Sequence, residues 1–181
     1  VTFRKEGVYR FDITEKVPGT PAGGMTYDRH ATKVTVTVTD DADHPGKLKA
    51  TVEYNNGTVS DKTDKAVFKN NYESSLVYGT TGALNIQKVL NGRTMKAGEF
   101  EFTYGPKDGQ TAKITTPTQR GSGEPDTMNV LADLTFDQTM SGKTQTYIVR
   151  ETKGSIKGVT YDERIGTVEI TPQDNGDGTM H

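Results

Sequence analysis

The chain lacks cysteine and tryptophan altogether, and only 31% of its 181 residues are hydrophobic. Without thiols there are no disulfides and no thiolate zinc centre. A secreted β-protein built this way needs some other staple, if it needs one at all. No apolar run approaches the roughly 20 residues of a membrane span, and no signal-peptide pattern is visible, so the chain reads as mature or excised. The net charge of −2 gives no basic field to attract nucleic acid or anionic lipid. What is present is Gly (20 residues) together with Thr, Val and Tyr in alternating runs. The length suffices for one or two small domains with real cores.

The chain repeats itself. Residues 1–48 align with residues 134–180 through a shared skeleton: a Thr-Phe strand, a Gly turn, a Tyr-led alternating strand ending in Glu, a Gly/Lys-rich loop, Thr-Tyr-Asp, a second alternating strand and an Asp/Gly turn. So long a period is a tandem domain and not a solenoid. The copies are cut differently. The first continues into KATVEYNNGTVSDKTDKAVFKNNYE, whereas the second is preceded by LNIQKVLNGRTMKAGEFEFTYGPKDG. The simplest organisation is residues 1–78 as the C-terminal part of one β-sandwich and residues 79–181 as the N-terminal part of the next, with the seam near Glu73–Ala83.

Strands are expected at Lys33–Thr39, Lys47–Tyr54, Ala66–Asn70, Leu84–Leu90, Glu99–Tyr104, Thr144–Arg150 and Gly166–Thr171, and Asn56-Gly57 suits a type I′ hairpin turn. No segment holds a helical period. The fold class is therefore all-β, with tandem sandwiches as the natural architecture.

Four of these runs end oddly. Leu84, Ile86 and Lys88 share a face, as do Tyr9, Phe11, Ile13 and Glu15; Tyr147, Val149 and Glu151; and Ala66, Phe68 and Asn70. An isolated buried charge is costly unless paired or neutralised, so an amine, two acids and an amide in such places point to chemistry inside a core. A neutral lysine amine attacks a carboxamide carbon when the carbonyl is polarised and a proton reaches the departing ammonia. Burial disfavours the charged forms of both amine and acid, and a protonated acid between them relays the proton. Contact supplies proximity. The product is a Lys–Asn isopeptide bond, made once, without turnover. Against this, each polar residue is also a strand-end residue able to reach water along its stem.

LNIQKVLNGRTMKAGEFEFTY, YRFDITEKVPG with MTYDRHATKVTVTVTD, and AVFKNNY resemble the isopeptide-linkage domains of Gram-positive pilins and surface adhesins, over almost all of the chain. The resemblance implies immunoglobulin-like (Cna-B/pilin-type) β-sandwiches. It also implies a first-strand lysine at Lys88, proton-shuttling acids at Glu15 and Glu151, and an acceptor amide at Asn70, with Asn71 on the opposite face. Copy one holds Glu15 and Asn70 without a lysine strand, and copy two holds Lys88 and Glu151 without an acceptor strand. Both copies are thus expected to be incomplete, each a fragment or completed by a neighbouring chain through strand exchange; a meeting of Lys88 and Asn70 across the seam is the third possibility. The function implied is a structural stalk of an extracellular, cell-wall-anchored surface protein. It has neighbouring domains or subunits as partners, no cofactor or metal, no nucleic acid and no membrane insertion. An adhesin module gripping host protein or glycan is the alternative, and an enzyme with turnover finds no site.

Other motifs have plainer readings. Asp40-Asp41-Ala42-Asp43 and Asp174-Asn175-Gly176-Asp177-Gly178 only faintly resemble calcium loops and suit turns. His30, His44 and His181 lack a second ligand at zinc spacing and read as solvated loop residues. Gly142-Lys143-Thr144 reads as a hairpin turn and not a phosphate loop. Ser and His share no hydrolase-like pattern. Asn56-Gly57-Thr58 is formally a glycan acceptor.

Overall fold

Period-two alternation becomes paired strands throughout the computed structural model, which describes residues 1–57 and 62–181. The chain divides into two compact units, Val1–Tyr72 and Glu73–His181, a few residues ahead of the boundary expected at 78.

In the first unit β1 (Gly7–Thr14), β3 (Ala31–Asp40), β4 (Leu48–Asn55) and β5 (Lys62–Thr63) form an antiparallel sheet in the order β1-β3-β4-β5, and β2 (Met25–Thr26) pairs separately with β6 (Asn71–Tyr72). β3 is its centre because Val34, Val36 and Val38 alternate with Thr and Lys, and all three valines are buried. Cross-strand partners share a face, and β3 pairs Val34 with Phe11, Val36 with Tyr9 and Val52, and Thr32 with Ile13. The apolar face is nonetheless thinly covered: Phe11, Ile13 and Val52 are 39%, 39% and 46% exposed.

The second unit begins with β7 (Ser75–Tyr78), which pairs with β12 (Leu134–Asp137), so residues 75–78 belong with it. β8 (Leu84–Val89) pairs with β11 (Pro125–Val130) and, among the described residues, on no other side. β9 (Glu101–Pro106), β10 (Ala112–Thr115), β13 (Gln145–Glu151) and β14 (Ile165–Ile170) make a four-stranded sheet in the order β10-β9-β13-β14. Alternation sends Ile86 and Lys88 inward from β8, and Asp126, Met128 and Val130 inward from β11. Ile86, Met128 and Val130 meet Met95, Phe100, Phe102 and Tyr147 in one core cluster.

Several expectations are corrected. Ala66–Asn70 is not a strand; pairing begins only at Asn71, because Val67 and Lys69 give their backbone N–H groups to the side chains of Asn56 and Asp28 instead of to a ladder. The Thr-Phe segment at the start of copy one is not a strand either. Its counterpart β12 has β7 to pair with, whereas Phe3 packs its ring on Tyr9 at 4.6 Å. Asn56-Gly57 does not close a two-residue turn, since β4 and β5 pair at Asn55 and Lys62; Thr58 lies outside the described residues. Gly142-Lys143-Thr144 follows a short 3-10 turn, Gln138–Met140, and leads into β13 instead of joining two paired strands. The Asp174–Gly178 segment is a turn closed by pairing of Asp174 with Met180.

Candidate functional site

The polar residues that end apolar rows come together in pairs, one pair in each unit. In the second unit Lys88 leaves β8 toward the core, its side chain 11% exposed, and its Nζ donates to Glu151 Oε1 at 2.6 Å. Glu151 closes β13 with its side chain 2% exposed, and its Oε2 accepts the backbone N–H of Asp162 at 2.8 Å. Both carboxylate oxygens are therefore occupied. The Lys88 nitrogen also lies 4.2 Å above the centre of the Phe100 ring, a cation–π position. Phe100 is held from below by Tyr161, with ring centroids 5.8 Å apart.

The loop from β8 to β9 fixes that ring. The Arg93 guanidinium grips the Glu99 carboxylate, which also accepts the Lys96 N–H at 2.8 Å. The Arg93 hydrogen bond above all, then the Lys96 N–H, holds the Glu99 carboxyl below its ordinary range. A cleft of about 270 Å³ opens beside the pair, lined by Lys88, Glu151, Asp162, Arg164 and Phe102 among others. It lies along the edge of β8 that carries no partner strand among the described residues.

In the first unit Glu15, just beyond β1, accepts the side-chain N–H of Asn70 on Oε1 at 2.8 Å. The Asn70 carbonyl oxygen accepts the Asp28 backbone N–H at 2.8 Å. The other Glu15 oxygen is buried without a hydrogen-bond partner. Asp28 and Asp162 both end a Thr-Tyr-Asp element. The same backbone N–H thus goes to the acid where no amide is present, and to the amide where one is. A donor on a carboxamide oxygen polarises the carbonyl in the way an oxyanion site does.

Lys88 is therefore beside Glu151, and Asn70 beside Glu15. Within each unit, taken by itself and among the described residues, no third member of the set joins them. Asp126 is a site residue that sequence reasoning missed. It pairs directly across from Lys88 on β11, is fully buried, and accepts from Thr118 N–H at 2.9 Å and Arg120 Nε at 3.4 Å. No strand was expected at Pro125–Val130, where Pro and Asp, both uncommon in strands, lead the segment.

His30, one of two histidines expected to be solvated in copy one, is half-buried and engaged. His30 Nδ1 lies 2.5 Å from Asp28 Oδ1, and its ring stacks on Phe68 at 4.8 Å. Asp28 also accepts the N–H groups of Lys69 and His30. The Lys69 N–H above all, then the His30 ring, draw its carboxyl down from 3.8 to about 2. A carboxyl whose folded value is depressed contributes stability above its unfolded value, and that contribution is lost as pH falls through the folded one. The first unit is therefore expected to lose stability between about pH 4 and pH 2. Urea midpoints measured across that window should fall more steeply for the wild type than for Asp28→Asn. Parallel curves would remove Asp28 from the account.

No curated protein is similar enough in sequence to count as a match. The family described as FctA, Spy0128-like isopeptide containing domain, matches residues 1–73 and again residues 84–181, with the gap falling at the seam between the repeats. With both units all-β and nearly the whole length matched, the chain belongs to the Spy0128-like isopeptide-containing pilin domain family.

Proposed function

We propose that the chain is part of the load-bearing shaft of an extracellular, cell-wall-anchored bacterial surface protein, stiffened by autocatalytic Lys–Asn isopeptide bonds. The observation that carries this reading is the buried Lys88–Glu151 contact at 2.6 Å, with the complementary Asn70–Glu15 contact in the other unit. Lys88 passes a proton to Glu151, and its nitrogen attacks an amide carbon delivered along the open edge of β8. The acid then hands the proton to the departing ammonia. In the first unit Glu15 serves Asn70 in the same way, toward a lysine delivered by a strand that lies over β1.

The exposure of the two sheets supports this. Phe11 and Ile13 are half open in the first unit, whereas Tyr147 and Val149, at the matching places before Glu151, pack in the core that β8 and β9 cover. Glu15 keeps one buried oxygen without a partner, whereas in the second unit an amine donates to the matching acid. Neighbouring domains, or strands of neighbouring subunits, complete both sets.

A bond joining first and last strands closes a loop of about 100 residues, worth about 4–5 kcal/mol by the chain-entropy account of cross-links. Force between the termini then passes through a covalent bond that reductants do not cleave, which suits a chain without cysteine.

Peptide mass mapping of the full-length surface protein tests the reading. Lys88 and Asn70 should each appear in a branched peptide lighter by one ammonia. Glu151→Ala should remove the Lys88 branch and leave the Asn70 branch. Recovery of both residues in linear, unmodified peptides would overturn it.

A further inference from the structure

Beyond the lysine sites, the first unit carries a second set of reactive groups in direct contact. We propose that Thr32 and Asn56 are the ends of an intramolecular ester cross-link, formed with His30 as general base and Asp28 as the residue that orients it.

The set runs in one line. Asp28 Oδ1 meets His30 Nδ1 at 2.5 Å, and His30 Nε2 meets Thr32 Oγ1 at 3.2 Å. Thr32 Oγ1 lies 2.8 Å from the Asn56 side-chain oxygen. With its Nδ1–H given to Asp28, the imidazole turns a lone pair on Nε2 toward the hydroxyl, which is the acid–base–nucleophile relation of acyl-transfer sites. Thr32 is 0% exposed, so the hydroxyl is held against its neighbours with little freedom. The electrophile is prepared too. The Asn56 carbonyl oxygen accepts the Val67 N–H at 3.0 Å, and its nitrogen donates to Thr63 Oγ1 at 2.8 Å and Lys65 O at 3.1 Å. The first contact polarises the carbonyl. The other two hold the amide plane still.

The hydroxyl proton has two acceptors, Asn56 Oδ1 and His30 Nε2. When it turns to His30, the Thr32 oxygen attacks the Asn56 side-chain carbon. The new bond is Thr32 Oγ1 to Asn56 Cγ, and the bond that breaks is Asn56 Cγ to Nδ2. His30 carries the hydroxyl proton to the departing nitrogen, and ammonia leaves. No oxidant, metal or co-reactant is needed. The product joins β3 to the residue that follows β4, beside a cleft of about 340 Å³ lined by Asp28, His30 and Asn56, into which the ammonia can leave.

The repeat supplies an internal comparison. In copy two the residues matching His30 and Thr32 are Arg164 and Gly166. Arg164 donates its backbone N–H to Asp162 at 2.9 Å, as His30 does to Asp28, and adds its guanidinium to the same carboxylate. Tying down this turn thus requires neither an imidazole nor a hydroxyl. Gly166 also leaves no room for one: a Cβ there would lie 2.7 Å from Val149 Cγ1. Only copy one combines a base, a hydroxyl and a polarised carboxamide.

Intact-mass and peptide mapping of the purified chain test the proposal without reference to the lysine sites. The wild type should be lighter than its sequence by one ammonia, with Thr32 and Asn56 in one branched peptide. Alkaline hydroxylamine should split that peptide and leave Asn56 as a hydroxamate, a cleavage that an isopeptide bond resists. Thr32→Ser should keep the branch, Thr32→Val should lose it, and His30→Gln should slow its appearance in freshly made protein. Full sequence mass with both residues in linear peptides would overturn the proposal. So would an ammonia loss that maps to Lys88 or Asn70 alone, or one that maps to a succinimide at Asn56-Gly57 with Thr32 still linear. A failure here leaves the isopeptide reading standing, and an unbranched Lys88 leaves this one standing.

Discussion

Glu151→Ala is expected to lower the stability of the second unit by about 3–5 kcal/mol, since deleting one member of a buried ion pair leaves the other without compensation. Lys88 is buried and its nitrogen has the Glu151 carboxylate at 2.6 Å. The centre of the Phe100 ring lies 4.2 Å from that nitrogen, and a cation–π contact is worth about 0.5–2 kcal/mol, too little to replace a carboxylate. The truncation also frees the Asp162 N–H, which now donates to Glu151. The double variant Lys88→Met with Glu151→Leu should recover most of the loss, because apolar residues of similar volume often replace buried pairs at no cost. Urea unfolding of the three proteins decides the point. If the double variant is as unstable as Glu151→Ala, the pair is stabilising in its own right and is not a device held at a cost for chemistry. A loss below about 0.5 kcal/mol in Glu151→Ala, the range of ordinary surface changes, would mean that the contact is not buried in solution.

Phe100→Ala should cost about 3–5 kcal/mol, as expected for removing a buried aromatic ring whose site cannot collapse. Phe100 is almost wholly inaccessible and sits in the cluster with Met95, Phe102, Met128 and Tyr147. Its ring also forms the floor under the Lys88 nitrogen. Phe100→Leu should cost less in stability because it refills most of the volume, yet it removes the π-face. If the lysine chemistry proceeds as proposed, the leucine variant should form its Lys88 branch more slowly while remaining folded. Equal stability of the alanine variant and the wild type, by thermal or urea unfolding, would contradict the position of this ring at the centre of the core.

Much of this was legible before any coordinates. Lys88, Glu151 and Glu15 stand out because strand alternation is strict and an ionisable residue on an apolar row is expensive. Their assignment to one lysine-and-acid set came from the resemblance to the isopeptide-linkage domains. Asn70 was singled out both by the Ala66-Phe68-Asn70 alternation and by its place in AVFKNNY, and the first reason fails, since the segment around it is not a strand at all. Side-chain acceptors on Asn56 and Asp28 take the N–H groups that a ladder would have used. Propensity reads local backbone preference, and it is blind to an acceptor arriving from tens of residues away.

The sequence by itself determined the all-β class, the tandem organisation and the separation of Glu15 and Asn70 from Lys88 and Glu151, because each rests on period-two patterning, on self-similarity or on position along the chain. Tertiary structure alone decided three things. It set Asp126 opposite Lys88, since β11 declares itself only by pairing with β8. It gave the Thr-Tyr-Asp backbone N–H to the acid in one unit and to the amide in the other, since a main-chain donor goes to whichever acceptor the fold brings near. And it drew Asp28, His30, Thr32 and Asn56 into one line, because the first three alternate along one edge while the fourth arrives only when β4 folds back on β3.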